Sequence, residues 1–290
     1  MSDVPSNPRA SSPPVAPSAV RTLLTRVGFY TVVSVVGAFF AVPLLWLLTA
    51  PFDDQPTLGV EIPQFTFDNF QRVFDNPYAW PSLRNSVLLA GQAMLLIVAA
   101  SALCAYALSR VRLPGRDLLL YLLILFSSVV SGTAAMVPLF RLVFEMGLIN
   151  TYMGVVLVVS GGLLPAAIFI LKDFIDGMPK SYEESARVFG ASPARTLWDI
   201  VLPVVRPGLA VIAVWAIVNV WGDFLIPLIL LRSPELQPAA VRMFSYYTEG
   251  GDPNLKLLSA FSFLYSVPVV LMYLWVNVRY GFRFYGGIKA

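Results

Sequence analysis

The chain has 290 residues, of which 57% are hydrophobic and 13% are charged. Soluble domains carry about 25% charged residues, so this deficit indicates a protein that lies largely in a membrane. The formal net charge of +3 does not indicate nucleic-acid binding, the single cysteine excludes an intrachain disulfide, and the lack of histidine removes the commonest general base and metal ligand. We therefore expect no metal site.

Residues 1–20 are rich in Ser, Pro and Ala, which predicts a disordered tail. The apolar segments that follow are each long enough to cross a bilayer core, which takes about 20 residues of helix. Because a segment in lipid must satisfy its own backbone hydrogen bonds, each should be helical. The predicted membrane helices are 27–52, 85–109, 118–140, 151–171, 207–231 and 257–278. The sequence thus predicts an all-α integral membrane domain over residues 21–290, with six transmembrane helices.

The basic residues set the expected orientation. With the N-terminus in the cytoplasm, the inner segments hold 14 of the 20 Lys and Arg residues and the outer segments hold 6. The positive-inside rule therefore favours cytoplasmic N- and C-termini.

Residues 180–208 are the most charged continuous stretch in the second half of the chain, and they would face the cytoplasm between the fourth and fifth predicted helices. Ser181 and Glu184 fit the capping-box pattern S-x-x-E, which predicts a helix from about Tyr182. Gly190 is a natural stop because glycine accepts the left-handed conformation. From this pattern alone, an ordinary loop on the membrane surface is the better interpretation.

A second short helix should follow, because Ser192 and Pro193 form a cap and first-turn signature. Pro203 then marks the end of this helix or a bend into the fifth membrane helix. On the first short helix, the spacings of four and three between Tyr182, Ala186 and Phe189 predict one shared apolar face.

The segment EESARVFGAS at 183–192, followed by IVLP at 200–203, resembles the EAA loop of permease subunits of bacterial ABC importers. Ser185 departs from the family pattern, which has alanine there, and Phe189 stands where many members carry aspartate. The positions aligned with the pattern read Glu184, Ser185, Ala186, Gly190, Ala191, Ile200, Leu202 and Pro203.

The resemblance extends from about residue 40 to residue 290 and is to carbohydrate permeases of the MalG-like group. VWGDFLIPLIL at 220–230 is similar to the family pattern W-N-D-F-L-x-P-L, with Gly222 in place of asparagine. The other similar segments are 65–74, 83–90, 105–116, 136–157, 168–184 and the Gly-rich tail 278–290.

The resemblance implies a permease that pairs with a second, similar permease in a bacterial inner membrane. Two cytoplasmic ATP-binding cassette subunits would power it, and an extracellular sugar-binding protein would deliver the solute. The chain contains no G-x-x-x-x-G-K-[ST] motif, so ATP and Mg²⁺ would bind to the partner subunits and this chain would hold no cofactor.

The implied role of the EAA loop, residues 181–203, is to dock into a cleft of the ATPase and to transmit its closure. Glu183 or Glu184 would be available to a basic residue of the ATPase. The implied coupling residues are Tyr182, Glu183, Glu184, Ala186, Phe189, Gly190, Ala191, Leu202 and Pro203.

The candidate residues of the solute pathway are Asn219, Trp221, Asp223 and Phe224. Asp223 is the one acid within an apolar segment, and it could bind a solute, form an ion-pair gate or make a structural bond to a neighbouring helix. Trp221 and Phe224 could stack on a sugar ring, although packing or a place in the interfacial aromatic belt is the favoured interpretation.

Two further segments carry candidate contacts. Tyr246, Tyr247, Gly250 and Gly251 lie in the outer loop that resembles, by position, the family's contact with the binding protein, and a plain connector stays open. At the C-terminus, Tyr285, Gly286 and Lys289 could reach the ATPase or fray as a tail.

Two other classes of protein stay open. A secondary transporter or channel would show more buried ionisable groups or an internal repeat, and the apolar segments hold one acid and no clear repeat. A membrane enzyme would need histidine, paired cysteines or clustered acids in the membrane, which this sequence lacks. The sequence therefore favours a permease subunit of an ATP-driven sugar importer, and it does not identify the sugar.

Overall fold

The computed structural model describes residues 19–111, 114–130, 133–248 and 254–280. Within these ranges the chain is helical apart from turns and the irregular segment 53–67, in which an isolated antiparallel bridge joins Asp53 to Phe65. The predicted all-α class is confirmed for these residues. Most of the predicted N-terminal tail, and the C-terminal candidates Tyr285, Gly286 and Lys289, lie outside the described residues.

The α-helices of the described residues are α1 Ala19–Thr49, α2 Asp68–Asp75, α3 Ala79–Arg110, α4 Arg116–Val130, α5 Met136–Glu145, α6 Tyr152–Asp176, α7 Ser181–Val188, α8 Pro193–Thr196, α9 Leu202–Val204, α10 Arg206–Gly222, α11 Leu225–Leu230, α12 Ala239–Thr248 and α13 Leu255–Tyr280. Short 3₁₀ turns cover Ala50–Phe52, Thr133–Ala135 and Pro234–Leu236, and Leu197–Val201 is π-helical.

Helices in four segments of the described chain are long and apolar enough to cross a membrane, and they overlap the predicted first, second, fourth and sixth membrane helices. A fifth span results if Pro193–Val204 and Arg206–Gly222, which meet at 78°, count as one bent segment. The four segments are Arg26–Phe52, Ala79–Arg110, Tyr152–Asp176 and Leu255–Val278.

The predicted third and fifth membrane helices are each interrupted. Instead of one helix over 118–140, α4 ends at Val130 and α5 begins at Met136. Instead of one helix over 207–231, α10 ends at Gly222 and α11 begins at Leu225. Pro138 and Pro227 lie in the first turns of α5 and α11, where a proline costs no intrahelical hydrogen bond. Each therefore marks a helix start rather than a kink.

The main core lies between α3, α6 and α10. Small side chains allow these helices to approach closely, as is common in membrane bundles. The fully buried alanines of this core are Ala93, Ala105, Ala167 and Ala216. A second, smaller core joins α2, α12 and α13 around Phe261. In contrast, the most apolar stretch of α1 contains no buried residue within the described chain.

Candidate functional site

The start of α7 differs from its predicted form. The helix begins at Ser181, one residue before the predicted start, and Lys180 at its N-cap makes no side-chain capping bond. The backbone of Lys180 is already helical (φ −63°, ψ −22°), so Ser181 lies within the helix and the capping box does not form. Glu183 and Glu184 remain in the first turn, where the helix dipole favours negative charge.

The end of α7 has the predicted geometry. Gly190 has φ of +79°, its amide donates to the Arg187 carbonyl over 2.9 Å, and the Ala191 amide donates to the Ala186 carbonyl over 3.0 Å. This pair of bonds is a Schellman motif, in which glycine takes the left-handed position. The predicted stop at Gly190 is confirmed.

The second short helix also starts as predicted. The Oγ of Ser192 accepts a hydrogen bond from the Arg195 amide over 3.3 Å, and Pro193 is the first residue of α8. Helical structure continues through the π-helical stretch to Val204, so the half-buried Leu202 and Pro203 lie in the last turn before the 78° bend into α10. Pro203 therefore lies beside a bend, as predicted.

The three residues of the predicted apolar face of α7 differ in exposure. Ala186 is buried, whereas Tyr182 is exposed and Phe189 is 90% exposed. Phe189 is the C-cap residue and lies beyond the last helical turn, so the helical spacing no longer applies to it. With Val188, which is 84% exposed, Phe189 forms an apolar projection that we call the loop tip.

Glu183 and Glu184 lie in different environments. Glu183 is 2% exposed, and its Oε1 accepts from the Nε of Arg110 over 2.6 Å. Its Oε2 accepts from the Tyr106 hydroxyl over 3.4 Å. Glu184 is exposed. Because Glu183 already binds Arg110 and Tyr106 of the same chain, Glu184 is the one of the two glutamates that is available to a basic residue of a partner.

Arg110 has a structural role that the sequence did not reveal. It stands in the basic segment 105–116, where its neighbours Arg112 and Arg116 made it look like one of several inner-loop charges. The signal that could have separated it is its position at the last turn of an apolar helix, close to the membrane boundary. Its guanidinium contacts the ends of α3, α6 and α7 together.

Asn219 and Asp223 lie together on one cavity of about 270 Å³. Asp223 leaves the helical conformation after α10, and its Oδ1 accepts from the Ile226 amide over 3.4 Å at the start of α11. Asn219 donates from Nδ2 to the Trp215 carbonyl over 2.8 Å. The rest of the lining is formed by Met136, Val158, Val159, Gly162, Leu163, Leu225 and Ile226. Asp223 thus makes a structural bond and also borders a cavity.

Trp221 and Phe224 do not line this cavity. Trp221 is 5% exposed and stacks on Tyr265, with ring centroids 5.4 Å apart. Phe224 packs on Phe244, with centroids 5.0 Å apart. The four pathway candidates therefore do not form one site, and these contacts favour the packing interpretation of the two aromatic residues.

The candidate residues of the predicted outer loop also differ in their surroundings. Tyr246, in α12, is buried against Phe261, and its hydroxyl donates to Oδ1 of Asn76 over 3.3 Å, so it belongs to the smaller core. Tyr247 is exposed. Gly250 and Gly251 lie outside the described residues.

The sequence of this chain is similar to those of known proteins. The sequence model of a family described as "Binding-protein-dependent transport system inner membrane component" matches residues 97–282. The maltodextrin transport system permease protein MdxG of Bacillus subtilis is 28% identical over 263 residues, which are 89% of this chain and 94% of MdxG. The arabinooligosaccharides transport system permease protein AraQ of Halalkalibacterium halodurans is 30% identical over 266 residues, 89% of this chain and 92% of AraQ.

The fold has a solved counterpart. A chain of a bacterial ABC transporter involved in the import of the acidic polysaccharide alginate superposes with a TM-score of 0.77, covering 93% of this chain and 100% of that chain. The sequence identity is 19%, so this similarity concerns the fold.

Proposed function

This chain belongs to the family of binding-protein-dependent transport system inner membrane components, and we propose that it is a permease subunit of an ATP-driven sugar importer. It forms half of the translocation pathway with a second, similar permease. An extracellular sugar-binding protein delivers the solute, and two ATP-binding cassette subunits supply the energy.

The solute class rests on the relatives. MdxG and AraQ are named for the transport of maltodextrin and arabinooligosaccharides, and each aligns over nearly nine-tenths of this chain. We therefore infer that the solute is a sugar or an oligosaccharide. Asn219 and Asp223 are the polar side chains that the cavity beside α11 offers to it. Neutral hydroxyls suit these two groups, because an amide and a carboxylate both form hydrogen bonds with them.

The coupling role rests on the EAA loop, and the exposed loop tip is the observation that carries it. Two large apolar residues, Val188 and Phe189, project from the end of α7. Main-chain hydrogen bonds fix this helix end, and the ion pair of Glu183 with Arg110 fixes the start of the same helix. An apolar projection on a firmly held element suits a cleft in another protein. Glu184 on the same short helix is free to meet a basic residue there.

Coupling then works as a rigid-body switch. ATP and Mg²⁺ bind on the partner subunits, whose closure displaces the EAA loop and tilts the membrane helices attached to it. Nucleotide drives transport only if it favours one state of the permease over the other. The loop must therefore be stiff, so that movement at its tip reaches the membrane helices.

The topology follows from the same premise. We propose six transmembrane helices in a domain over residues 21–290, with α4 and α5 together forming the third crossing and α10 and α11 the fifth. The excess of basic residues in the inner segments orients both termini toward the cytoplasm. The EAA loop then lies at the cytoplasmic face, where Tyr285, Gly286 and Lys289 also reach the ATPase. Tyr247, Gly250 and Gly251 face the binding protein.

Purification of the tagged chain from its native membranes tests the proposal. A second permease and an ATPase chain should co-purify, and the reconstituted complex should import a radiolabelled oligosaccharide only with ATP and the binding protein. Glu184→Lys should weaken ATPase capture without changing membrane insertion. Uptake by the lone chain, driven by an ion gradient without ATP, would overturn the proposal in favour of a secondary transporter.

A further inference from the structure

A buried ion pair joins two helix ends that are distant in sequence. The Nε of Arg110, in the last turn of α3, lies 2.6 Å from Oε1 of Glu183 in the first turn of α7, and 73 residues separate them. The side chains are 10% and 2% exposed. Surface ion pairs contribute little to stability, but breaking a buried pair leaves a charge without compensation and is strongly unfavourable. The contact therefore holds the two helix ends together firmly.

The remaining donors of Arg110 extend this contact to α6. Its Nη2 donates to the Ile175 carbonyl over 3.0 Å, and its Nη1 donates to the Ser109 hydroxyl over 2.8 Å. Ser109 in turn donates to Asp176, which also pairs with Lys172. One guanidinium thus bonds to groups at the ends of α3, α6 and α7. The planar fork of arginine suits such a junction, and lysine, with a single ammonium group, cannot reproduce it.

Both carboxylate oxygens of Glu183 are bound by α3. Arg110 occupies Oε1, and the Tyr106 hydroxyl donates to Oε2 over 3.4 Å. The covalent chain attaches the EAA loop to α6 and α10, but it does not attach the loop to α3. Tertiary contacts make α3 follow the loop: its apolar packing against α6 and α10, and the polar contacts that link it directly to α7.

We propose that Arg110 is a positioning residue that makes α3 move as one body with the EAA loop. The inference rests on the proposed function and deepens it. Displacement of the loop tip reaches the core of the permease through Glu183 and Arg110, as well as through the helices that flank the loop. Because α3 packs against α6 and α10 in the main core, its movement reshapes the centre of the bundle. The two adjacent glutamates have different roles: Glu183 faces inward and binds α3, and Glu184 faces outward toward the ATPase.

The test measures movement and coupling in the complete complex. Cys104 lies exposed on α3 and provides one spin label, and Ser181→Cys on α7 provides the second. In the otherwise unaltered chain, the distance between these labels should stay narrow and unchanged between nucleotide-free and ATP-bound complexes. A shift of this distance on ATP binding overturns the proposal, because the two helix ends would then move separately.

Arg110→Met keeps an extended side chain but removes the charge and all donors. It should retain ATPase binding, broaden the label distance, and lower the stimulation of ATP hydrolysis by loaded binding protein about fivefold or more, which is the size of a typical coupling. The charge swap Arg110→Glu with Glu183→Arg should restore part of that stimulation. Arg141→Met is the matched control, because it breaks an exposed pair with Glu145 on α5 and should change nothing.

Normal stimulation with a narrow label distance in Arg110→Met overturns the inference. If Arg110→Met does not assemble, the label distance in the unaltered chain still decides. A different result would overturn the proposed function itself: the unaltered chain would bind no ATPase. If the chain binds ATPase and responds to binding protein while Arg110→Met behaves identically, only the role of Arg110 is lost.

Discussion

Tyr265 donates its hydroxyl hydrogen to the main-chain carbonyl of Trp221 over 2.7 Å, and the two rings stack at 5.4 Å. This contact ties α13 to the last turn of α10, directly before the helix break at Asp223. It fixes where the break lies relative to the rest of the bundle. Trp221 is therefore expected to act on stability rather than on the solute.

Trp221→Ala should destabilise the complex by about 3–5 kcal/mol, because it removes a large buried ring. Tyr265→Phe should cost about 1 kcal/mol, because it removes one hydrogen bond and keeps the ring. Thermal unfolding of the purified complex, measured with the amount assembled, checks both values. A Trp221→Ala complex with normal assembly but defective uptake would instead support a pathway role.

Asp223 has two candidate roles that two substitutions separate. Asparagine caps a helix as well as aspartate does, so Asp223→Asn should preserve the bond to the Ile226 amide, whereas Asp223→Ala should lose about 1 kcal/mol of capping. If the carboxylate binds the solute, Asp223→Asn should raise the solute concentration needed for half-maximal uptake by up to about tenfold, and the complex should assemble normally. Normal uptake by Asp223→Asn combined with poor assembly of Asp223→Ala would leave only the capping role.

Gly190 is held at φ +79°, a conformation that L-residues with side chains rarely adopt. No atom lies within 4 Å of a Cβ built there, so the cost of substitution is one of backbone conformation and not of collision. Gly190→Val should cost at least about 1–2 kcal/mol. That cost would reduce the population of correctly closed loops about 5- to 30-fold. ATPase capture and uptake should fall together.

Gly190→Asn is the matched control for this substitution, because asparagine accepts the left-handed region. The chain itself shows this at Asn150, with φ of 60°. Its uptake should stay close to that of the unaltered chain. Equal behaviour of the Val and Asn variants would show that the closure at Gly190 is unimportant for transport.

Phe189→Ala should weaken ATPase binding, because truncating an apolar anchor at an interface costs more than about 1 kcal/mol, or roughly fivefold in affinity. The fold should be unaffected, since Phe189 is almost entirely exposed. Leu58→Ala removes a similarly exposed apolar side chain from the segment between α1 and α2 and serves as the control. Titration of the ATPase onto reconstituted permease measures the difference, and identical affinities would remove the loop tip from the interface.

The orientation predicts thiol accessibility in a Cys104→Ala background. Ala194→Cys on α8 should be protected from an impermeant thiol reagent in intact cells, and Ile62→Cys should be labelled, because both positions are exposed and lie on opposite sides of the predicted membrane. Permeabilised cells supply the control, in which both cysteines react. The reverse pattern in intact cells would place the EAA loop outside and exclude its docking to a cytoplasmic ATPase.

Local features of this fold could be predicted from the sequence, because neighbouring residues determine them. Gly190 ends α7 through its own backbone freedom, and Ser192 with Pro193 starts α8 by satisfying free amides of the first turn. The effect of Pro138 and Pro227 was harder to predict, since a proline inside an apolar segment indicates either a kink or a helix start. Only the positions of the neighbouring helices decide between the two.

The site required tertiary information. Glu183 and Glu184 are chemically equal neighbours, and the nearby guanidinium of Arg110, 73 residues away, determines which one is buried. The division of the pathway candidates also depends on tertiary structure. The chain leaves the helical conformation at Asp223, so helical spacing from Asn219 does not determine which side Asp223 faces.

The closure of α7 has an evolutionary consequence. Main-chain hydrogen bonds hold the loop tip in place, and Gly190 permits them because a residue without a side chain adopts the left-handed conformation easily. Val188 and Phe189 themselves bury almost no surface. Their side chains can therefore mutate freely without disturbing the shape that presents them. If the loop tip docks into the ATPase, as we propose, substitutions at these two positions would change the affinity for the ATPase and leave the fold intact. Partner choice is in this way separable from folding, and the two can diverge at different rates.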